Sequence, residues 1–346
     1  MRRAPLLSVR TAVLLAGMWL LCGGCSEQRR PVVRLIFDTD MAPDYDDVGA
    51  LAALHALADS GEVEILATVT SNRLETSVPC IEVINGWFGR PDLPTGGPKG
   101  KAPSIDTWHS EKWTSLLPER YPHRTTKTSD APDAVAVYRR ALAGSPDTSV
   151  VIVTVGFMSN LRDLLRSVPD SLSPLSGSEL VARKAKRLVS MAGLFPQGLE
   201  FNIVQDAGAA RAVLEQWPTE IIFSGAEIGD KILTGEAVMA DQEPDSPVRE
   251  VYALCMAQDS CTNHASFDQT AVLVAVRGPG NYFATESGTL RMNADSSTVW
   301  TPGPSGRHAR LVQRMDRDSL ARVVDALMAH RPAVARRPGL SDAAEP

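Results

Sequence analysis

The chain has 346 residues, of which 44% are hydrophobic and 22% are charged, a composition typical of a globular protein with a large core. A formal net charge of −6 without a basic stripe argues against a protein that binds nucleic acid or another polyanion. The cysteines have no histidines at the spacing of a zinc site, so no zinc signature is present.

Residues 1–25 have the pattern of an export signal. The basic start "MRRAPLLSVR" precedes the apolar run "TAVLLAGMWLLC", which is short for a membrane span. The run ends in "LCGGC", which resembles a bacterial lipoprotein box, although Leu21 lies one place further from Cys25 than usual. We predict acylation of Cys25, with ordinary signal cleavage and a buried N-terminal helix as the alternatives. Either processed form places the mature protein outside the cytoplasm, in the periplasm or anchored by lipid to the bacterial envelope.

Strand and helix patterns alternate along the first two thirds of the chain. The predicted strands, read mainly from apolar runs, are 32–37, 62–69, 148–156, 187–193 and 219–225. The predicted helices, read from helical spacing, are 47–59, 78–89, 130–144, 159–167 and 206–217. This alternation predicts right-handed βαβ units and an α/β fold with a mainly parallel central sheet flanked by helices.

Two segments depart from this alternation. Residues 96–128, rich in Gly, Pro, Ser, Thr and Lys, predict a long loop with one short helix, and long loops within compact domains are often functional. Residues 331–346, rich in Pro, Ala and charge, predict a disordered tail. Because no internal repeat or linker is present, we predict one domain over residues 26–330, in which Cys255 and Cys261 could pair in an oxidising compartment.

A dense group of acidic residues follows the first predicted strand. Such a group repels itself and raises its own pKa values unless a cation neutralises it, and carboxylate oxygens suit Ca²⁺ or Mg²⁺. One loop offers too few ligands for calcium, so we expect further ligands at other strand ends, where open α/β sheets bind their ligands. Asp268 and a backbone carbonyl after the 148–155 strand are candidates. The five aspartates are Asp38, Asp40, Asp44, Asp46 and Asp47.

Other interpretations of this acidic group are weaker. A solvated loop with Asp46 or Asp47 capping the next helix explains one or two carboxylates but not five between two apolar segments. An EF-hand needs a glycine at position six and a closing glutamate, and both are absent. The D-x-D pattern also opens haloacid-dehalogenase-type phosphatases, but these usually continue with Gly-Thr rather than "MAPDYDD".

The pattern "DTD-x3-D-x-DD-x2-AL" after an apolar strand resembles the inosine–uridine-preferring nucleoside hydrolase family, N-ribohydrolases that bind Ca²⁺. Further segments resemble the family in the same order, and the resemblance covers most of residues 32–285: "GRPDLPTGGP", "VTVGFMSNL", "LEFNIVQD" and "SFDQTAVLVAV". The resemblance implies a Rossmann-like nucleoside hydrolase fold. It also implies cleavage of the N-glycosidic bond of ribonucleosides to free base and ribose.

The resemblance assigns roles to individual residues of the chain. It implies that Asp40 both binds the metal and, as general base, activates a Ca²⁺-bound water. The other implied metal ligands are Asp47, the backbone carbonyl of Val155, and Asp268. The residues implied to contact the sugar hydroxyls are Asp46 for the 2′- and 3′-hydroxyls, with Glu200 and Asn202. Less certain site candidates are Asp38, Asp44 and His264.

Two departures from the family pattern concern this site. The spacing from Asp40 to the Asp46–Asp47 pair is two residues longer than in well-known members, so Asp44 has no counterpart and could be a ligand, a hydroxyl contact or a solvated residue. Phe267 stands where well-studied members have the histidine proposed to protonate the leaving base. His264 is a weak candidate for that role. Stacking of the base on a tryptophan is another route, with Trp87, Trp108 and Trp113 as candidates.

Two other functions remain open at this point. One is a Ca²⁺-dependent protein that binds a nucleoside or sugar without turnover. The other is a hydrolase with the same metal and diol chemistry but a different ribosyl-type leaving group. A choice between purine and pyrimidine is not readable from the sequence, and relatives are often dimers or tetramers, so a homo-oligomer is a further expectation.

Overall fold

The structure, a computed structural model, describes residues 31–240, 245–304 and 306–332. The predicted signal with Cys25 and nearly all of the predicted tail lie outside the described residues. From Val32 onward the described residues belong to one compact unit. Within the described part of the chain, no helix combines the length and the apolar character that crossing a membrane requires.

The secondary structure alternates strands and helices as predicted for residues 32–225. The strands of the described residues are β1 (Val33–Thr39), β2 (Val63–Thr70), β3 (Thr95–Gly96), β4 (Val150–Thr154), β5 (Ala185–Met191), β6 (Gln197–Gly198), β7 (Ile221–Ser224), β8 (Leu233–Thr234), β9 (His264–Ala265), β10 (Phe283–Met292), β11 (Thr298–Pro302) and β12 (His308–Gln313).

The helices of the same residues are α1 (Asp46–Asp59), α2 (Ser77–Trp87), α3 (Trp113–Arg120), α4 (Ala134–Ala143), α5 (Ser159–Arg166), α6 (Gly177–Lys184), α7 (Phe201–Gln205), α8 (Ala207–Gln216), α9 (Ala226–Gly229), α10 (Glu236–Ala240), α11 (Pro247–Asp259), α12 (Phe267–Arg277) and α13 (Arg317–Met328). A 3₁₀ turn covers Thr128–Asp130. The predicted long loop therefore contains one α-helix, α3.

The large sheet has the strand order β3-β2-β1-β4-β5-β7-β12-β10-β11-β6. Its strands pair in parallel from β3 to β12, whereas β10, β11 and β6 continue it with antiparallel pairs. The predicted α/β class with a mainly parallel central sheet is confirmed. The antiparallel strands β10 to β12 were not among the predicted elements.

Apolar residues of β1 face both sides of the sheet, as its continuous hydrophobic run predicts. Leu35 and Phe37 belong to the hydrophobic cluster that includes residues of α1, α2, α11, α12 and α13, whereas Ile36 belongs to the cluster that includes residues of α4, α5, α6 and α8. Two helical layers therefore cover the parallel part of the sheet, and the carboxyl ends of β1, β4 and β5 lie at one edge.

Helix α1 is buried along nearly its whole length and packs against α12 and α13. Its first turn contains Asp46 and Asp47, and the first turn of α12 contains Asp268, where the helix dipole favours negative charge. The N–H of Asp268 donates to Oδ2 of Asp46 at 3.0 Å. Packing of these two helices therefore joins residues that lie more than two hundred positions apart. The described cysteines Cys80, Cys255 and Cys261 are all free, so Cys255 and Cys261 form no disulfide.

Candidate active site

Four buried carboxyl groups form the floor of a cavity of about 340 Å³ at the carboxyl edge of the sheet. Carboxylate oxygens of Asp46, Asp47 and Asp268 lie within 4.8 Å of one another. Asp40 follows β1 and its carboxyl group is in hydrogen-bond contact with that of Asp47. None of the four is more than 4% exposed. The convergence predicted for Asp40, Asp47 and Asp268 is therefore present in the fold.

The four carboxyl groups have raised pKa values, chiefly because burial disfavours the charged form. Repulsion from neighbouring carboxylates, Asp44 among them, raises these pKa values further. The pKa of Asp47 reaches about 7 even though Thr39 Oγ1 and the N–H of Met41 donate to it. Among the described residues, no lysine or arginine forms an ion pair with any of the four or lines the cavity. A set of buried oxygen donors without a protein cation fits a hard divalent metal ion.

The predicted fourth ligand and two predicted sugar contacts lie on the same side of the cavity. The N–H of Val155 donates to Asp38 O at 2.8 Å, and its carbonyl accepts from Nδ2 of Asn202 at 2.9 Å. That carbonyl keeps a second lone pair for a metal ion. Glu200 caps α7 by accepting from the N–H groups of Asn202 and Ile203, at 2.8 and 3.2 Å. Its carboxylate is therefore fixed before any substrate binds.

Asp38 has a different environment from the other aspartates. It is fully buried, it does not line the cavity, and it accepts from Tyr138 Oη at 2.8 Å and from Asn160 Nδ2 at 3.1 Å. Burial raises its pKa to about 8 despite these two donors. Its contacts favour a structural role beneath the site, where it joins β1 to α4 and α5.

The remaining candidates border the cavity or lie behind it. Asp44 and Phe267 line it, whereas His264 lies behind, with Nε2 2.8 Å from Oδ1 of Asp44 but without hydrogen-bond geometry. Trp108 also lines the cavity and is 60% exposed, whereas Trp113 is fully buried. Trp87 lines only a different, much smaller surface cavity. Of the three tryptophans, only Trp108 is placed to stack on a substrate.

The upper part of the cavity is apolar and partly exposed. Trp108, Leu199 and Phe201 are 60%, 60% and 42% exposed around its mouth. Pro43, Met191, Leu194, Ala226 and Phe267 also belong to this apolar lining. The site thus combines an acidic floor with an apolar mouth, which suits a ligand with a polyhydroxylated end and a flat apolar end.

The sequence profile described as inosine-uridine preferring nucleoside hydrolase matches residues 35–326. The chain belongs to this family. It is therefore a nucleoside N-glycosyl hydrolase of a metal-dependent family, and its buried aspartate cluster could bind the metal. Comparison with curated proteins gave no match.

Solved structures of similar fold support the assignment of the architecture. A plant nucleoside hydrolase, the PpNRh1 enzyme, superposes with a TM-score of 0.62 at 19% identity, over 86% of this chain and 99% of that one. The inosine-uridine preferring nucleoside hydrolase from Bacillus anthracis gives 0.63 at 14% identity, with the same coverage of 86% and 99%. The type III effector protein XopQ, complexed with adenosine diphosphate ribose, gives 0.62 at 14% identity, over 87% and 95%.

Most predicted site residues of this nucleoside hydrolase share one cavity. Among the described residues, all but two of the predicted ligands, sugar contacts and further site candidates line the cavity, together with Phe267: Asp40, Asp44, Asp46, Asp47, Val155, Glu200, Asn202 and Asp268. Asp38 and His264 are the two that do not line it. The role of each of these residues stays a prediction.

Sequence reasoning missed a group of residues behind the cavity. Tyr45 is fully buried, its ring stacks on His264 with ring centroids 4.0 Å apart, and its hydroxyl donates to Asp259 at 3.3 Å. His109 contacts the same carboxylate through Nε2 at 3.1 Å. No local pattern marks these residues, since the contacts join segments about 150 to 220 positions apart.

Proposed function

We propose that this enzyme hydrolyses the N-glycosidic bond of uncharged ribonucleosides with a bound Ca²⁺, releasing free base and ribose. The observation that carries the proposal is the cluster of four buried carboxyl groups beneath an apolar cavity. Asp40, Asp47, Asp268 and the carbonyl of Val155 would hold the ion. When bound, Ca²⁺ would acidify a water molecule and gather it with the vicinal hydroxyls of the ribose.

The carboxylates of the chain itself account for the remaining chemistry at the sugar. Asp40 takes the proton of the attacking water as general base, from its position at the end of β1 on the cavity floor. Asp46 accepts hydrogen bonds from the 2′- and 3′-hydroxyls, while its Oδ2 is held by the N–H of Asp268. The transition state resembles an oxocarbenium ion, and nearby carboxylates stabilise its developing positive charge.

The chain has no histidine at position 267 to protonate the leaving base, so departure of the base needs another arrangement. Phe267 has no proton to give, and the cavity mouth offers aromatic and aliphatic surface instead. Stacking of the base on Trp108 would hold it in a partly dry environment, with its proton supplied by solvent at the open mouth.

The charge of the cavity defines the substrate class. Its polar lining among the described residues consists of acidic side chains and Asn202, with no lysine or arginine. One divalent ion neutralises only part of the charge of Asp40, Asp44, Asp46, Asp47, Glu200 and Asp268. Phosphate groups would therefore be repelled. A ligand such as the adenosine diphosphate ribose bound by XopQ is consequently a poor substrate in this proposal.

We also propose that the enzyme acts outside the cytoplasm, because residues 1–25 have the pattern of an export signal and Cys25 follows a lipoprotein-like box. Expression of the full chain in a bacterium tests this. The wild-type protein is expected in the membrane fraction and the Cys25→Ala variant in the soluble envelope fraction. Recovery of both proteins from the cytoplasm would contradict export.

Incubation of the purified protein with a panel of ribonucleosides tests the activity. We expect release of free base and ribose, measured by chromatography, in the presence of Ca²⁺ and none after chelation. Adenosine diphosphate ribose and 5′-phosphorylated nucleosides are expected to react at least about tenfold more slowly, because their charge is repelled. Binding measured by calorimetry without release of base from any of the ribonucleosides would contradict the proposed substrate class.

A further inference from the structure

Asp44, Trp108 and Phe267 line the cavity, and the chemistry at the sugar does not explain why they are there. We name these three residues the aromatic wall. Tyr45 lies behind it and contacts all three segments that supply it. It follows Asp44 directly, it stacks on His264 near Phe267, and it makes an edge contact with His109, with ring centroids 5.7 Å apart, next to Trp108. Three segments distant in sequence thus meet at one buried ring.

Hydrogen bonds hold Tyr45 and His109 to Asp259, the last residue of α11. Tyr45 Oη donates to one oxygen of Asp259 at 3.3 Å, and His109 Nε2 lies 3.1 Å from the other. The second ring nitrogen of His109 contacts Thr107 Oγ1 at 2.8 Å, so the imidazole is held on both sides. The residues behind the aromatic wall are therefore ordered before substrate binds, which lowers the ordering cost of binding a ligand there.

Asp44 is the polar member of this wall. Its Oδ1 accepts from the N–H of Tyr45 at 2.7 Å and lies 2.8 Å from Nε2 of His264. Its Oδ2 has no hydrogen-bond or ion-pair partner among the described residues, and the residue lines the cavity. One oxygen thus orients the group, and the other is available to a ligand as an acceptor.

We propose that Asp44 is a specificity-determining residue whose Oδ2 accepts an N–H of the leaving base, so that the enzyme favours nucleosides with an amino-substituted purine. The inference rests on the proposed function, which places the ribose over the carboxylate floor and leaves the apolar mouth to the base. A flat purine whose face packs on Trp108 turns its edge toward the rest of the cavity lining, in which Asp44 is a polar residue. His264 and Tyr45 are then positioning residues.

A comparison of adenosine with purine riboside, which lacks the 6-amino group, tests the proposal. The quantity measured is the kcat/KM for adenosine divided by the kcat/KM for purine riboside, in the wild type and in Asp44→Ala. Because both enzymes meet the same two substrates, the change in this ratio cancels the intrinsic reactivities of the leaving groups. We expect the ratio to fall about tenfold or more in Asp44→Ala, since a site that loses a hydrogen bond to a polar group loses that discrimination.

Controls distinguish a fall in this ratio from a failure to fold and from a loss of nucleoside hydrolysis as such. Asp318→Ala removes one exposed carboxylate on α13 and should leave the ratio unchanged. If Asp44→Ala fails to fold, His264→Gln, which alters the contact with Asp44, should still lower the ratio by a smaller factor. An unchanged ratio in a folded Asp44→Ala enzyme overturns the role of Asp44 while hydrolysis stands. A wild type that cleaves no nucleoside overturns the proposed function, and this inference with it.

Discussion

In the proposed mechanism, Asp40 is both the general base and a metal ligand, and turnover is expected to depend on it most strongly. It follows β1, is 4% exposed and contacts the carboxyl group of Asp47 on the cavity floor. We expect Asp40→Ala to lower kcat by about a hundredfold or more, because it removes both a general base and a metal ligand. Release of base from inosine and uridine measures the effect, and Asp318→Ala serves as the control. A fully active Asp40→Ala enzyme would overturn the assignment.

Phe267 allows a second test at the scale of one residue. It begins α12 and lines the cavity next to Asp268, so a histidine there would face the leaving base. We expect Phe267→His to keep at least about a tenth of wild-type kcat, since the present enzyme does not rely on an acid at this position. Loss of all activity, in a variant with an unchanged melting temperature, would show that the phenyl ring itself is required.

At the scale of elements, His55 joins α1 to α2. Its Nε2 contacts Asn85 Oδ1 at 2.9 Å, and Arg90 Nη1 donates to its Nδ1 at 3.3 Å, so the ring is neutral. Asn85 in turn donates to Thr68 of β2 at 2.9 Å. Burial, which is complete, lowers the pKa of His55 to about 3.

The low pKa of His55 predicts a loss of stability in acid. The unfolded chain binds this proton at about pH 6.5 and the folded chain only at about pH 3. The contribution of His55 to the free energy of unfolding is therefore fully present well above pH 6.5, and it falls by about 1.4 kcal/mol per pH unit between about pH 6.5 and about pH 3. Between pH 7 and pH 5 the wild type should lose about 2 kcal/mol more free energy of unfolding than His55→Gln. Equal losses in denaturant titrations would contradict the prediction.

Strands and helices were predictable where the hydrophobic pattern of the segment itself decides its secondary structure. The apolar run at 32–37 became β1, Val33–Thr39, and the helical spacing at 47–59 became α1, Asp46–Asp59. The antiparallel strand β10 was not predicted, because its buried and exposed residues do not alternate strictly. Its place is set by pairing with β12 and β11, which no short window of sequence contains.

In the candidate site too, the residues marked by a local pattern were predictable, whereas contacts between distant segments were not. The aspartates after β1 are recognisable from sequence, because five carboxylates in ten positions have few structural explanations. The resemblance to the family also indicated Asp268. By contrast, the contact of Asp44 with His264 and the link of His109 to Asp259 depend on how loops meet after folding. These contacts required the structure.

At the scale of the whole molecule, the acidic floor couples folding to metal binding. Four like charges are held in the low-dielectric interior by packing of α1 against α12 and by the end of β1. Each pKa is raised because the folded chain opposes ionisation there. Near neutral pH the metal-free fold is thus destabilised by the same residues that would bind the cation.

Removal of metal is therefore expected to lower both activity and stability. A ligand present at a hundred times its Kd stabilises the folded state by about 2.7 kcal/mol, which for a chain of this size corresponds to several degrees in Tm. We expect EDTA to lower Tm by several degrees and to abolish release of base, and we expect added Ca²⁺ to restore both.

In Asp268→Asn the Ca²⁺-induced rise in Tm should fall by more than half, because a ligand is lost, whereas Asp318→Asn should keep the full rise. Protein that retains its Tm and its activity in EDTA, or an Asp268→Asn variant with an undiminished response to Ca²⁺, would exclude a metal at this cluster.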